Sequence, residues 1–289
     1  MNNPKPQEIS MDYSTMSDFL KCPLRGYYRH ILNITPRRIH PALSFGQAFH
    51  DAMAVWYKEG DQEKAKLSFA KTWSDYLKEA DQEKEDLLMG TSPDDSKRNL
   101  ENGLSILDGY FSTYPVENWE ILSNEMPFKV LLGEVEGVPY YLTGKMDLYV
   151  QWGKFKYVVD HKTTSMLGRN YFDNFNPSLQ LDGYVYACRE IFGECDGAII
   201  NAALVAKTKQ TFERDTFSKT SEDLELYKRE ALHIMWWINQ MKSADRYFMN
   251  TDACTLYGAC PFLELCRAKG DERVIRSRYK THVWDPFAI

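Results

Sequence analysis

Two acids and a lysine carry the clearest chemistry in this sequence. Asp160 and Lys162 stand two residues apart at the end of the run Tyr157, Val158, Val159, whose β-branched and aromatic side chains suit a pleated strand. Side chains two apart on a strand share a face. A turn at Trp152-Gly153 would fold this strand back on the preceding one, which carries Gly144-Lys145-Met146-Asp147. Counting back from that turn puts Asp147 opposite Val158, and so diagonal to Asp160 on one face. Two bare carboxylates this close repel, and one would take up a proton. A hard divalent cation, Mg²⁺ or Mn²⁺, removes that penalty. Such a cation can activate water and neutralise charge gathering on a phosphodiester, while Lys162 would orient the attacking water and add positive charge. Taken alone, an acid two residues before a lysine is more often a structural ion pair at a strand end.

The elements that must hold these residues follow from periodicity and caps. A short helix is expected over YSTMSDFLKC, capped by Ser14, with CPLRGYYRHIL after it. A second helix begins near Ser44 and carries FGQAFHDAMAVWYK, residues 61–89 are helical in period, and after TSPDDSKRNL another helix covers 97–113. From about residue 119 the pattern changes to three successive strands, the helix NPSLQLDGYVYACREIFG, two more strands in GAIINAALVA and QTFERDTF, and a long helix from Ser221 to Phe248. This order predicts an α/β fold with a mixed central sheet flanked by helices. With no linker rich in Pro, Gly or Ser, one domain over 1–289 is expected: a helical insertion at 51–115, a core sheet at 116–217, and a C-terminal helix and cysteine segment at 218–289.

GKMD followed by VVDHKT resembles the core of the PD-(D/E)XK nuclease superfamily, in its RecB-like branch. FGQAFH resembles that branch's G-x-x-x-H helix, Gln180-Leu181-Asp182-Gly183-Tyr184 its Q-x-x-x-Y helix, and YSTMSDFLKCPLRGYY its opening segment. The resemblance implies a restriction-endonuclease-like core with an N-terminal helical lobe. It implies a catalytic set of Asp147, Asp160, Lys162, Gln180 and Tyr184, the last two one helical turn apart. It also implies a metal set of His50, Asp147, Asp160 and His161, the last through its backbone carbonyl, since its side chain alternates away from its neighbours. Judged alone, His50 reads as a satisfied helix histidine, and the Gln180/Tyr184 pair as an ordinary amphipathic turn.

Four of the six cysteines form a second constellation: Cys22, and Cys254-x5-Cys260-x5-Cys266. In the RecB-like branch one early and three late cysteines hold a four-iron, four-sulfur cluster, as in AddB-type helicase–nuclease subunits and CRISPR-associated RecB-like exonucleases. The resemblance implies a structural 4Fe-4S cluster on these four residues. Both gaps here are five residues, where those relatives commonly carry a close pair. Zn²⁺ is the rival occupant, because four thiolates also suit it tetrahedrally. Cys188 and Cys195 match no motif and are expected to be buried thiols.

A formal net charge of −6 argues against coating nucleic acid through bulk charge, and leaves room for a local basic groove. The start MNNPKPQEIS lacks the pattern of a secretory signal, and no apolar run is long enough for a bilayer, so a cytoplasmic protein with no membrane partner is expected. A helicase's phosphate loop, G-x-x-x-x-G-K-[ST], is missing from the sequence. Together with the resemblance, these features point to a metal-dependent exonuclease on single-stranded DNA or DNA ends. Its setting would be recombination, repair, or phage or CRISPR DNA processing, with a helicase or annealing protein as a further partner. Two alternatives stand beside this: a structure-specific endonuclease on the same core, and a catalytically idle DNA-binding or scaffolding subunit.

Overall fold

The computed structural model describes residues 8–37, 40–87, 97–256 and 259–283, without the side chains of 81–87. Its helices begin where a side chain can satisfy an unpaired N–H of the first turn. Asp12 accepts from Thr15 N, Asn99 from Asn102 N and Ser178 from Leu181 N. Ser14, the expected first cap, therefore lies inside the helix: the Asp12 carboxylate holds the cap position two residues earlier.

In chain order the elements are β1 (Ile9–Met11), α1 (Tyr13–Lys21), α2 (Pro23–Gly26), β2 (Ile34–Pro36), α3 (Pro41–Glu59), α4 (Gln62–Leu87), α5 (Leu100–Thr113), β3 (Glu120–Val135), β4 (Val138–Trp152), β5 (Phe155–Thr164), α6 (Leu179–Phe192), β6 (Gly197–Leu204), β7 (Phe212–Ser218), α7 (Ser221–Ala244), α8 (Leu263–Arg267), α9 (Glu272–Arg278) and β8 (Tyr279–Thr281). Helix α7 stops at Ala244, short of the expected Phe248, because Asp245 turns to a left-handed φ of 47°. Among the described residues no helix is long and apolar enough to cross a membrane.

The chain divides into two compact units, each assembled from separated stretches. The larger comprises Ile39–Met126 and Lys145–Ser221. Here the second half of β4 pairs antiparallel with β5, β5 parallel with β6, and β6 antiparallel with β7. The parallel step is bridged by α6, the usual solution for strands pointing the same way. Alternate side chains Leu148, Val150, Tyr157, Val159, Ile199 and Ala203 pack with α3, α4 and α5 in one buried cluster. The opposite alternation, including Val158, Ala198 and Ile200, is also buried, and α6 packs against β5 and β6 there. A sheet covered on both faces is the mixed α/β arrangement expected from the sequence.

The other unit comprises Met1–Arg38, Pro127–Gly144 and Glu222–Ile289. In it β1 pairs in parallel with residues 140–142 of β4, and β2 pairs antiparallel with β8. Tyr28, Ile34, Phe262, Leu265 and Tyr279 form its small apolar cluster. Asp18, only 3% exposed, is neutralised by Arg25 at 2.7 Å, with Arg29 and His30 each at 3.1 Å.

Candidate active site

The β4–β5 hairpin places the acids, and its turn differs from the expected one. Trp152 pairs with Phe155 and Leu148 with Val159, so the turn is Gly153-Lys154. Gly153 takes a φ of 62°, the left-handed conformation that a two-residue hairpin turn requires. The shift moves the pairing by an even number of positions, which leaves each side chain on its expected face. Asp147 therefore comes directly abreast of Asp160 instead of diagonal to it.

The ladder ends at the Leu148–Val159 pair, one step short of the acids. Beyond it the Asp147 carboxylate accepts the His161 backbone N–H at 2.8 Å and stands 3.2 Å from His50 Nδ1 of α3. Burial alone would raise the Asp147 pKa. The His50 charge and the two hydrogen bonds outweigh it and hold the acid far below the ordinary range. The same pairing acts in reverse on the imidazole: burial disfavours its proton, yet Asp147 raises its pKa to about 9.

Asp160 is 2% exposed. Burial lifts its pKa, the Lys162 ammonium opposes that, and the Asp147 charge adds to it. Lys162 Nζ lies 2.6 Å from Asp160 Oδ2, a close ion pair that leaves the ammonium as that oxygen's one partner among the described residues. The ammonium also donates to Gln180 Oε1 at 3.3 Å, and Gln180 Nε2 donates to Tyr184 Oη at 3.2 Å. The i, i+4 pair on α6 thus meets on one face and reaches the lysine. Burial works against the Lys162 charge, but Asp160 draws its pKa upward.

His161 alternates to the opposite face, as expected, and there joins a buried network that sequence reading missed. Its ring stacks on Tyr57 with centroids 5.4 Å apart. Arg214 Nε donates to Asn201 Oδ1 at 3.0 Å, and Asn201 Nδ2 donates to His161 Nδ1 at 2.8 Å. Arginine has no acceptor, so it fixes which way the Asn201 amide faces, and that leaves the His161 proton on Nε2. Burial drives the His161 pKa down to about 3, against the pull of Asp147. Glu117 holds Arg214 at 2.7 Å and accepts from Tyr57 Oη at 2.6 Å. Glu125 is a second missed residue: it pairs with Lys145, takes a left-handed φ of 51°, and has its pKa raised by burial and by Asp147.

Among the described residues no three His, Cys, Asp or Glu side chains converge tightly enough to enclose a metal ion. Each acid is turned to its own cation, Asp147 to His50 and Asp160 to Lys162. The donors nevertheless suit one. Two carboxylates are hard oxygen donors of the kind Mg²⁺ and Mn²⁺ take, and the imidazole is a borderline donor better suited to Mn²⁺; Asp160, 2% exposed, has the Lys162 ammonium as the positive charge it now faces.

In the other unit, Cys22 Sγ accepts the Asn250 N–H at 3.3 Å and Cys254 O accepts the Cys260 N–H at 2.8 Å. Cys260 and Cys266 pack against the Tyr28–Phe262 cluster. The Cys266 thiol is pushed up to about 11, first by burial and then by Cys260, Cys22 and Cys254. Cys266 thus feels the charge of the other three, though no three of the four converge tightly enough to enclose a metal among the described residues. Cys188 and Cys195 are buried elsewhere, and Cys195 Sγ donates to Gly197 O at 3.3 Å.

Comparison with known proteins follows the same lines. The family model of the PD-(D/E)XK nuclease superfamily matches residues 10–267. The crystal structure of a candidate exonuclease from Eubacterium rectale aligns with a TM-score of 0.52 and 16% identity, over 90% of this chain and 87% of that one. The crystal structure of SSO0001 aligns with a TM-score of 0.40 and 14% identity, over 93% of this chain and 90% of that one. At these identities the likeness is one of fold, and the second is too weak to build on. No curated protein matches the chain.

Proposed function

This chain belongs to the PD-(D/E)XK nuclease superfamily, and we propose on that premise that it is a metal-dependent DNA exonuclease acting on single-stranded DNA or DNA ends. The observation that carries the reading is one chain of contacts. His50 meets Asp147, Asp147 binds the backbone of the segment holding Asp160 and Lys162, and Lys162 reaches Gln180, which in turn binds Tyr184. Four separated sequence motifs thus meet just beyond the point where β4 and β5 stop pairing. The preference for strand ends, and the setting in recombination, repair, or phage or CRISPR DNA processing, rest on the resemblance to the RecB-like branch.

His50, Asp147, Asp160 and the His161 carbonyl would hold the cation. When bound, it activates the attacking water and offsets charge on the phosphate. Lys162 keeps its proton beside Asp160, so it serves as a fixed positive charge and hydrogen-bond donor and not as a base. Gln180 accepts from that ammonium, and its own amide is set by Tyr184, which fixes the direction in which Lys162 points. Asp147 is anchored by a backbone N–H as well as by His50, so it stays in place when the imidazole turns to a ligand role. Digestion of 5′- and 3′-end-labelled single-stranded and duplex DNA with Mg²⁺ or Mn²⁺ tests the reading. Release of nucleotides from an end is expected, together with its loss in Asp160→Ala and Lys162→Ala. Cutting of a covalently closed single-stranded circle would favour an endonuclease, and full activity in either variant would overturn the site.

The four cysteines are assigned a 4Fe-4S cluster, with Zn²⁺ as the rival. Support comes from the donor set and from the mutual crowding that burdens the Cys266 thiolate. A cationic centre would relieve that crowding.

A further inference from the structure

Two loops leave the carboxyl ends of the neighbouring parallel strands β5 and β6, beside Asp160 and Lys162. The first covers residues 165–178 and the second 205–211. They start side by side, since Thr164 pairs with Leu204 and Val205 N donates to Thr164 O at 2.7 Å. Both are tied to the amino-terminal part of α5 and its approach. Arg98 donates to Ser165 Oγ at 2.6 Å, and Gln210 Nε2 donates to Ser105 O at 2.6 Å. Lys162 lies two residues before Thr164, about 7 Å along the strand.

The charge of this edge opposes that of the chain. From His161 to Phe172 the sequence holds Lys162 and Arg169 and no acid; from Val205 to Phe212 it holds Lys207 and Lys209 and no acid. Arg169, Lys207 and Lys209 are exposed. Within the loops themselves Arg169 is balanced by Asp173, and the surplus of positive charge comes from Lys207 and Lys209; Asp160 and Glu213 stand just outside them. A run of cations in a chain of net charge −6 is where a polyanion gains most.

The same edge carries apolar faces. Met166 is 80% exposed. Tyr171, half-buried, feels the charges of Lys162 and Asp160. Its ring is held edge-on by Phe172 and Phe175, with centroids 5.2 and 5.3 Å away. A ring fixed by two others beside a catalytic lysine is a platform for a flat partner. In a duplex the base faces are already stacked; in a single strand they are free to take such a platform.

We propose that these two loops form the ledge on which single-stranded DNA lies as it enters the site, with Arg169, Lys207 and Lys209 on phosphates and Tyr171 against a base. The inference rests on the nuclease reading and adds which surface and which form of DNA serve it. Binding of a fluorescein-labelled oligothymidylate to the full chain, in EDTA so that nothing is cut, gives the direct test. In Lys207→Gln/Lys209→Gln the slope of log affinity against log salt falls by about 1.4, roughly 0.7 per lost phosphate contact. Tyr171→Leu weakens the same binding roughly 5- to 150-fold, whereas binding of the matched blunt duplex changes far less. With Mn²⁺, the lysine variant raises KM for the single strand at least about fivefold at near-constant kcat. An unchanged salt slope and KM would overturn the ledge, and an equal loss on duplex would overturn its preference for single strands. Because binding is read without cleavage, a wild-type protein that binds but never cuts would refute the nuclease reading alone.

Discussion

At the scale of single residues, two ion pairs hold the site, and one of them makes cation binding depend on pH. His50 has its pKa raised from 6.5 to about 9 because Asp147 outweighs burial. The pair's contribution to folding is therefore complete below 6.5 and fades as pH rises through about 9. A cation that takes both residues must displace that proton, so its affinity should climb with pH up to about 9. Calorimetric titration of Mn²⁺ at about pH 7.5, in two buffers of different ionisation heat, should show close to one proton released per ion. Binding without proton release would remove His50 from the ligand set. Asp147, Asp160, Lys162, Gln180 and Tyr184 could be singled out beforehand because their motifs are short and local; their contacts fit that expectation, and their catalytic roles belong to the proposal. The support beneath His161 could not be singled out. Tyr57, Glu117, Asn201 and Arg214 lie far apart along the chain, and nothing in their local sequence marks one as the partner of another.

At the scale of elements, periodicity located the long helices and the principal strands, and local backbone chemistry decided where they end. Three-residue β1, β2 and β8 are too short to show alternation, and each exists through its partner strand. The hairpin turn moved by one position because Gly153 adopts the left-handed conformation at the first turn residue, which leaves Trp152 to pair with Phe155. Helix packing holds a case where propensity and contact oppose each other. Gly103 lies inside α5, where alanine would ordinarily stabilise by about 1 kcal/mol. A Cβ there would come within 2.2 Å of the Phe69 ring, which is fully buried on α4. Gly103→Ala should therefore destabilise the protein by about 1–3 kcal/mol, the usual cost of overpacking. Chemical denaturation measures it, and a gain in stability would mean that the Phe69 ring can step aside.

At the scale of the whole molecule, the fold class was legible because helices and strands follow each other in an order that only a mixed sheet satisfies. The two compact units leave no local mark, since each is gathered from stretches that local patterns treat as continuous. Sulfur ligation is the prediction that belongs here, because it would join Cys22 to residues more than 200 positions later. Protein purified without air should show a broad visible absorption and bound iron, both lost in Cys260→Ala. A colourless protein carrying one zinc per chain would put Zn²⁺ in the cluster's place. The unit that holds these cysteines draws on Met1–Arg38, Pro127–Gly144 and Glu222–Ile289. During synthesis, then, Cys22 has left the ribosome long before Cys254, 232 residues later (254 − 22), can join it. At ordinary elongation rates that interval is roughly 10–50 s. Any cofactor shared by the four thiols must wait until Cys266 has emerged, and an oxidant that reached Cys22 during that interval would meet a sulfur with no partner yet made.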